Sequence, residues 1–218
     1  GMLCLETIHL IITRRKTSCR LILFYIISCH SIRYDKARKA ILMKQDIATD
    51  EKFMRRALAL AAEAARRGEV PVGAVVVMDG EIVSEGFNLR ETAKNALAHA
   101  ELLAINAACT RLGGWRLHRC ELYVTLEPCP MCAGAIINSR IKRVVIGARD
   151  SKAGALGSLV NLNRYPFNHH PEVCFGVLEA ESVKLLREFF RQLREKRNCS
   201  KKNNSEFSKK NNSENTNK

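Results

Sequence analysis

Four residues in two short runs have the types and spacing to do chemistry. In LAHAELLA (Leu97–Ala104) His99 and Glu101 stand two apart, and in EPCPMC (Glu127–Cys132) Cys129 and Cys132 stand three apart. Zinc accepts imidazole nitrogen and thiolate sulfur in a tetrahedral shell. Cys129 and Cys132, on the first turn of a helix opened by Pro128, can put both sulfurs on one side. The positive end of that helix favours thiolate. His99, at the start of another helix, supplies a third ligand. Three protein ligands leave the fourth corner for water, the arrangement of a catalytic site. Residues at i and i+2 do not share a helix face. Glu101 is therefore expected beside the water rather than on the metal, placed to take a proton and return it to a substrate.

Each fragment alone has a plainer reading. H-x-E on a helix is usually an ordinary side-chain pair, and C-x-x-C is more often a structural knuckle or a redox pair. A closed structural site could draw a fourth ligand from Cys109, His118 or Cys120. The ordered combination, with Pro128 directly before the first Cys, is what points to a catalytic Zn2+.

Composition bounds the setting. The 218 residues suit one domain with flexible ends, and 46% hydrophobic content is globular. The net charge of +14 is concentrated at the ends. Residues 1–42 carry eight Lys/Arg against two acids, and residues 191–218 carry nine against three. The centre is nearly balanced, so the charge alone does not establish a nucleic-acid binder. Nine scattered Cys form no regular framework, which reads as reduced thiols in a cytoplasmic protein. LILFYIIS (Leu21–Ser28) is far too short to span a bilayer, so no membrane association is expected. Gly1 reads as a vector-derived residue. Residues 1–48 are expected to be an extension, disordered or non-native, with Met43 as the native start. The zinc-dependent domain is expected over 49–197. The KKNNSE repeats make 198–218 a disordered Lys/Asn/Ser-rich tail.

The elements that must position the four residues follow from periodicity. Asp50 to Arg67 reads as a helix, with Phe53, Ala57, Leu60, Ala61 and Ala64 on one stripe, Asp50 as cap and Gly68 as stop. Val70–Met78 and Glu81–Gly86 read as strands joined at Asp79–Gly80. Helices are expected over Leu97–Cys109, from Pro128 to about Asn138, and over Ser182–Arg197. Strands are expected over Leu122–Leu126, Arg143–Ala148 and Val173–Leu178. Strands alternating with helices after an initial hairpin give an α/β fold, a mixed sheet covered on both faces.

With these residues in place, the chain resembles the zinc-dependent nucleobase deaminases, whose signature is H-x-E followed by P-C-x-x-C. Longer runs narrow the likeness to bacterial tRNA-specific adenosine deaminases. These are GEVPVGAV (Gly68–Val75), AHAE (Ala98–Glu101), LYVTLEPCPMCAGAI (Leu122–Ile136), SRIKRVVIGARD (Ser139–Asp150) and GSLVNL (Gly157–Leu162). The resemblance covers about residues 51–195. It implies a three-layer α/β/α sandwich with a mixed five-stranded sheet of cytidine deaminase type. It also implies hydrolytic deamination of adenosine to inosine at the wobble (first anticodon) position of tRNA, by a cytoplasmic homodimer with one Zn2+ per subunit.

On that resemblance His99, Cys129 and Cys132 hold the metal. Glu101 protonates N1 of the adenine and passes a proton to the leaving amine. Asn88 matches a base-contacting Asn, and Ala100 a position whose backbone amide holds the base. Asp150, Asn168 and His169 match substrate-loop positions. The chain departs from the family in having Asn95-Ala96-Leu97 where Asp-Pro-Thr is usual, and GFNLR without the usual Trp and Pro around its Asn.

A splayed anticodon loop would present its adenine at little unstacking cost. Arg187, Arg191 and Arg194 recur along the last helix, beside Leu186, Phe189, Phe190 and Leu193, as candidate contacts to the RNA backbone. A solvated charged face explains the same stripe. The alternatives are a deaminase of a free guanine- or cytosine-type base or nucleoside, and a non-enzymatic RNA-binding zinc module.

Overall fold

The computed structural model divides into residues 1–49 and residues 50–218. It describes residues 47–215, with side chains through Asn198. Of the first unit only residues 47–49 are described, and they are helical. The expectations for residues 1–46, Met43 and Leu21–Ser28 included, lie outside the described residues. Among the described residues no helix is long and apolar enough to cross a membrane.

Helix α1 occupies residues 47–66. Strands β1 (Gly73–Met78) and β2 (Glu81–Phe87) form a hairpin, followed by the short helix α2 (Arg90–Ala93) and by α3 (Ala100–Leu112). Then come β3 (Cys120–Leu126), α4 (Pro130–Asn138), β4 (Arg143–Ala148), a 3-10 turn at Leu162–Arg164, β5 (Glu172–Phe175) and α5 (Glu179–Asn215). The sheet order is β2-β1-β3-β4-β5. β1 is antiparallel to both β2 and β3, while β3, β4 and β5 run parallel. The mixed five-stranded sheet expected from the sequence is the one observed.

Period-two alternation sorts the strand residues between two cores. Val76, Leu122, Val124, Val144 and Ile146 meet Ala100, Ala104, Ile105 and Ala108 of α3 and Ala133 and Ile136 of α4. On the other face Val75, Val77, Tyr123 and Val145 meet Phe53, Met54, Ala57 and Leu60 of α1. Ser182, in the first turns of α5, packs onto β4 at Gly147. Helices thus cover both faces, which completes the α/β/α layers. The alanines of α3 let it lie close to the sheet. A Cβ at Gly86 would stand 2.4 Å from the carbonyl oxygen of Ala100, so only glycine lets α3 begin where it does.

Several boundaries differ from the sequence expectation. Asp50 is not a cap. It lies inside α1 and forms a buried pair with Arg143, Nη1 to Oδ1 and Nη2 to Oδ2 both at 2.7 Å, while Tyr123 donates its hydroxyl to the same carboxylate. β1 begins at Gly73 because Pro71 cannot join a ladder and the Val72 carbonyl is taken by the Asn88 amide. The helix after β3 starts at Pro130, not Pro128, and Cys129 is its N-cap. Likewise α3 starts at Ala100 with His99 as N-cap, not at Leu97, because Asn95 turns the chain and accepts the Leu97 amide. β5 stops at Phe175, since Gly176 takes a positive φ. α5 begins at Glu179 and continues past Arg197 through the KKNNSE repeats to Asn215.

Candidate active site

The two N-caps make the centre. His99 and Cys129 each sit in extended backbone just ahead of a helix, on neighbouring elements of the same sheet face. Cys132 follows one turn later and is fully buried. Cys129 Sγ lies 3.7 Å and Cys132 Sγ 3.6 Å from His99 Nδ1. Zinc with bonds of about 2.3 Å to sulfur and 2.0–2.1 Å to nitrogen at tetrahedral angles needs an N···S edge of about 3.6 Å. Both N···S edges have that length, and all three ligand atoms lie within 4.8 Å of one another, so the triplet suits zinc. None of Cys109, His118 and Cys120 belongs to the group of residues that could close round a metal with it. Among the described residues that leaves a three-ligand site.

Glu101 is outside the triplet and 4% exposed. Burial pushes its carboxyl up to about 7; its own backbone amide opposes the shift, and Cys129 reinforces it. The Cys132 thiol, donating to Cys129, pushes the Cys129 thiol down to about 5; burial opposes this, and the Cys132 amide and the His99 ring add to it. Cys132 moves the other way, raised by that same contact, by burial and by Glu101. The site thus offers one ready thiolate and a carboxyl poised to exchange a proton near neutral pH.

Around this centre lies a cleft of about 400 Å³ at the carboxyl ends of β3 and β4. Asn88 is buried in its wall, and its Oδ1 accepts the Ala100 amide at 3.1 Å. The Ala100 N–H, expected on the base, is used to orient Asn88, which lines the cleft. Asp150 lines the cleft too, with Oδ1 accepting the amides of Lys152 (2.8 Å) and Ala153 (3.2 Å) in a tight turn. Asn168 and His169 do not line it. They brace the turn after α4, Asn168 accepting from Arg140 at 2.7 Å and His169 bonded to the Ile141 carbonyl at 2.7 Å. Arg187, Arg191 and Arg194 are exposed, with Arg191 paired to Glu195, while Leu186 and Phe190 on the adjoining face of α5 close the cleft.

The sequence reading missed three cations in the cleft wall, Arg90, Arg149 and Lys152, and the carboxylate of Glu127. Arg149 and Lys152 had a signal, since they follow a strand of the parallel set. Glu127 sat inside a motif run but had no spacing rule to mark it.

Residues 47–148 match the family described as the cytidine and deoxycytidylate deaminase zinc-binding region. With the layered sheet and the His/Cys/Cys triplet, this defines a zinc-binding deaminase domain. The tRNA-specific adenosine deaminase of Bacillus subtilis (strain 168) is 52% identical over 158 residues, covering 72% of this chain and 98% of that protein. A solved structure from work on A-to-I editing by tRNA:A34 deaminases at the wobble position is 45% identical, with a TM-score of 0.61 over 62% of this chain and 99% of its own. A guanine deaminase from Nitrosomonas europaea is 27% identical, with a TM-score of 0.53 over 64% of this chain and 83% of its own. The chain belongs to the tRNA-specific adenosine deaminases.

Proposed function

We propose that the chain hydrolyses adenosine to inosine at the wobble position of a tRNA, in the cytoplasm, as a homodimer with one zinc ion per subunit. The observation that carries this reading is a buried carboxylate, Glu101, beside a three-ligand His/Cys/Cys centre in a cleft walled by cations.

His99, Cys129 and Cys132 hold the metal, which when bound supplies the Lewis acidity that brings water within reach of deprotonation at neutral pH. Glu101 takes the proton of the attacking water as its oxygen bonds to C6 of the adenine, and delivers that proton to N1. The carboxylate then collects the second proton of the same oxygen and hands it to N6. The C6–N6 bond breaks, and ammonia leaves. Burial raises the Glu101 carboxyl and a bound cation would lower it, and a carboxyl so balanced can transfer protons in both directions. Asn88 offers Nδ2 to a ring acceptor, and Val72, Leu126 and Phe190 supply apolar surface for the base. Arg90, Arg149 and Lys152 face the flanking phosphates, and Arg187, Arg191 and Arg194 extend that field along α5. Asp150 shapes the turn that presents Lys152.

The test is incubation of zinc-loaded protein with an anticodon stem-loop carrying adenosine at the first anticodon position, followed by nucleoside analysis. Inosine there, and not at other adenosines, is the expected product. Ammonia from free guanine or cytosine compounds with no change in the stem-loop would move the assignment to a free-base deaminase, the activity of the Nitrosomonas relative.

A further inference from the structure

Glu127 is 3% exposed, directly after β3 and two residues before Cys129, and it takes no part in holding metal. Its two oxygens gather four donors from one segment. Oε1 accepts the amides of Leu156 at 3.1 Å and Ser158 at 3.0 Å, and Oε2 accepts the amide of Asp150 at 3.1 Å and the Ser158 hydroxyl. Gly154 closes over the carboxylate so tightly that a Cβ there would stand 2.4 Å from Glu127 Cδ and 2.5 Å from Oε2. The Ala155 amide reaches the carbonyl of the next residue, Pro128, at 2.9 Å.

The bound segment begins directly after β4 and supplies Arg149, Asp150, Ser151 and Lys152 to the cleft. It has little regular structure, and the turn within it, where Asp150 accepts the amides of Lys152, Ala153 and Gly154, leaves the amides of Asp150, Leu156 and Ser158 to be met from outside the segment. Buried backbone N–H groups left unmatched are costly. Here one carboxylate matches three of them.

We propose that Glu127 is a positioning residue. It folds residues 149–158 into a fixed cleft wall beside the metal-binding turn, and so sets affinity for the RNA without touching the reacting atoms. The substrate named in this statement rests on the function proposed above. Replacing Glu127 by Gln keeps the shape but turns an amide NH2 toward a donor, and Glu127→Ala leaves all four donors unmatched.

The test combines two readouts on Glu127→Gln, Ser158→Ala and Gly154→Ala. Hydrogen exchange of the peptide spanning 149–160 should quicken about tenfold or more in Glu127→Gln and Gly154→Ala, and less in Ser158→Ala, with α3 unchanged. On the anticodon stem-loop, KM should rise about tenfold in the first two variants while kcat stays within about threefold and zinc content equals wild type. Gly154→Ala reproduces the defect with the carboxylate still present, which separates lost positioning from lost charge. Unchanged exchange in Glu127→Gln overturns the proposal, as does a fall in kcat and zinc with KM unaltered. If the wild-type protein itself leaves the stem-loop untouched, the functional reading fails, and the exchange measurement alone decides whether Glu127 holds the wall.

Discussion

His99 Nδ1 stands 3.6 Å from Cys132 Sγ, although 33 residues separate them. The contact exists because α3 and α4 lie on one face of the sheet with their N-termini converging where β2 and β3 end. Glu101, in the first turn of α3, is thereby buried beside the same centre without joining the triplet.

That separation of roles predicts a split between metal and turnover. Glu101→Ala should keep its zinc and lose about 10²–10⁴-fold or more in kcat on the stem-loop. His99→Ala and Cys129→Ala should lose the metal itself. Metal analysis beside single-turnover kinetics checks this, and equal zinc loss in all three variants would show that Glu101 is a ligand.

Proton transfer from water requires an ionised Glu101, so kcat/KM should fall on the acid side. Burial holds that carboxyl at about 7 in the metal-free protein, and a neighbouring cation would lower it. The limb should therefore lie at or below about pH 7, with a tenfold loss per unit beneath it. Zinc content is followed through the same limb, because both thiols must stay deprotonated to hold the metal: the Cys129 thiol is held down at about 5, but Cys132 is raised. A rate that stays flat down to about pH 4, the ordinary carboxylate range, while zinc stays bound would remove Glu101 as the base.

The crossing of α3 over β2 predicts a distant route to metal loss. At Gly86 an added methyl would meet the Ala100 carbonyl at 2.4 Å and the Ala104 amide at 2.8 Å, both backbone groups that cannot swing aside. Gly86→Ala should cost about 1–3 kcal/mol. It should also weaken zinc binding, because it displaces the helix that starts at His99. Zinc titration and thermal unfolding measure the two effects, and unaltered zinc affinity would mean that α3 is not what places the imidazole.

Much of this arrangement was legible in the sequence, for reasons that differ by residue. His99, Glu101, Cys129 and Cys132 carry chemistry that few other spacings serve, so type and order sufficed. The hairpin at Asp79–Gly80 and the stripe from Phe53 to Ala64 follow from local periodicity. Asp50 was misread because a cap and a buried partner for Arg143 look alike until tertiary structure brings β4 alongside. Pro128 was misread because two prolines flank Cys129, and only the backbone shows that Pro130 is the first helical residue. For Asn168 and His169 the resemblance implies substrate-loop positions, whereas their side chains bond to the turn after α4. The roles of Glu127 and Gly154 depend on a chain reversal between residues 149 and 158 that has no periodic signal.

If phosphates are held along α5, affinity for the stem-loop should fall with salt at a slope near −0.7 per contact in a plot of log K against log salt. Arg187→Ala and Arg194→Ala should each weaken binding and flatten that slope. Arg191→Ala should do less, since that guanidinium is already 3.0 Å from Glu195. Identical slopes in all three variants and wild type would restrict RNA contact to the cleft wall.

X-ray absorption at the zinc edge of the loaded protein, with no substrate present, reads the centre directly. The predicted shell is two sulfurs at about 2.3 Å, one imidazole nitrogen at about 2.0 Å and one oxygen from solvent. A fourth ligand supplied by the polypeptide, whether sulfur, nitrogen or a carboxylate from Glu101, would contradict the account, because it would leave water no place at the metal.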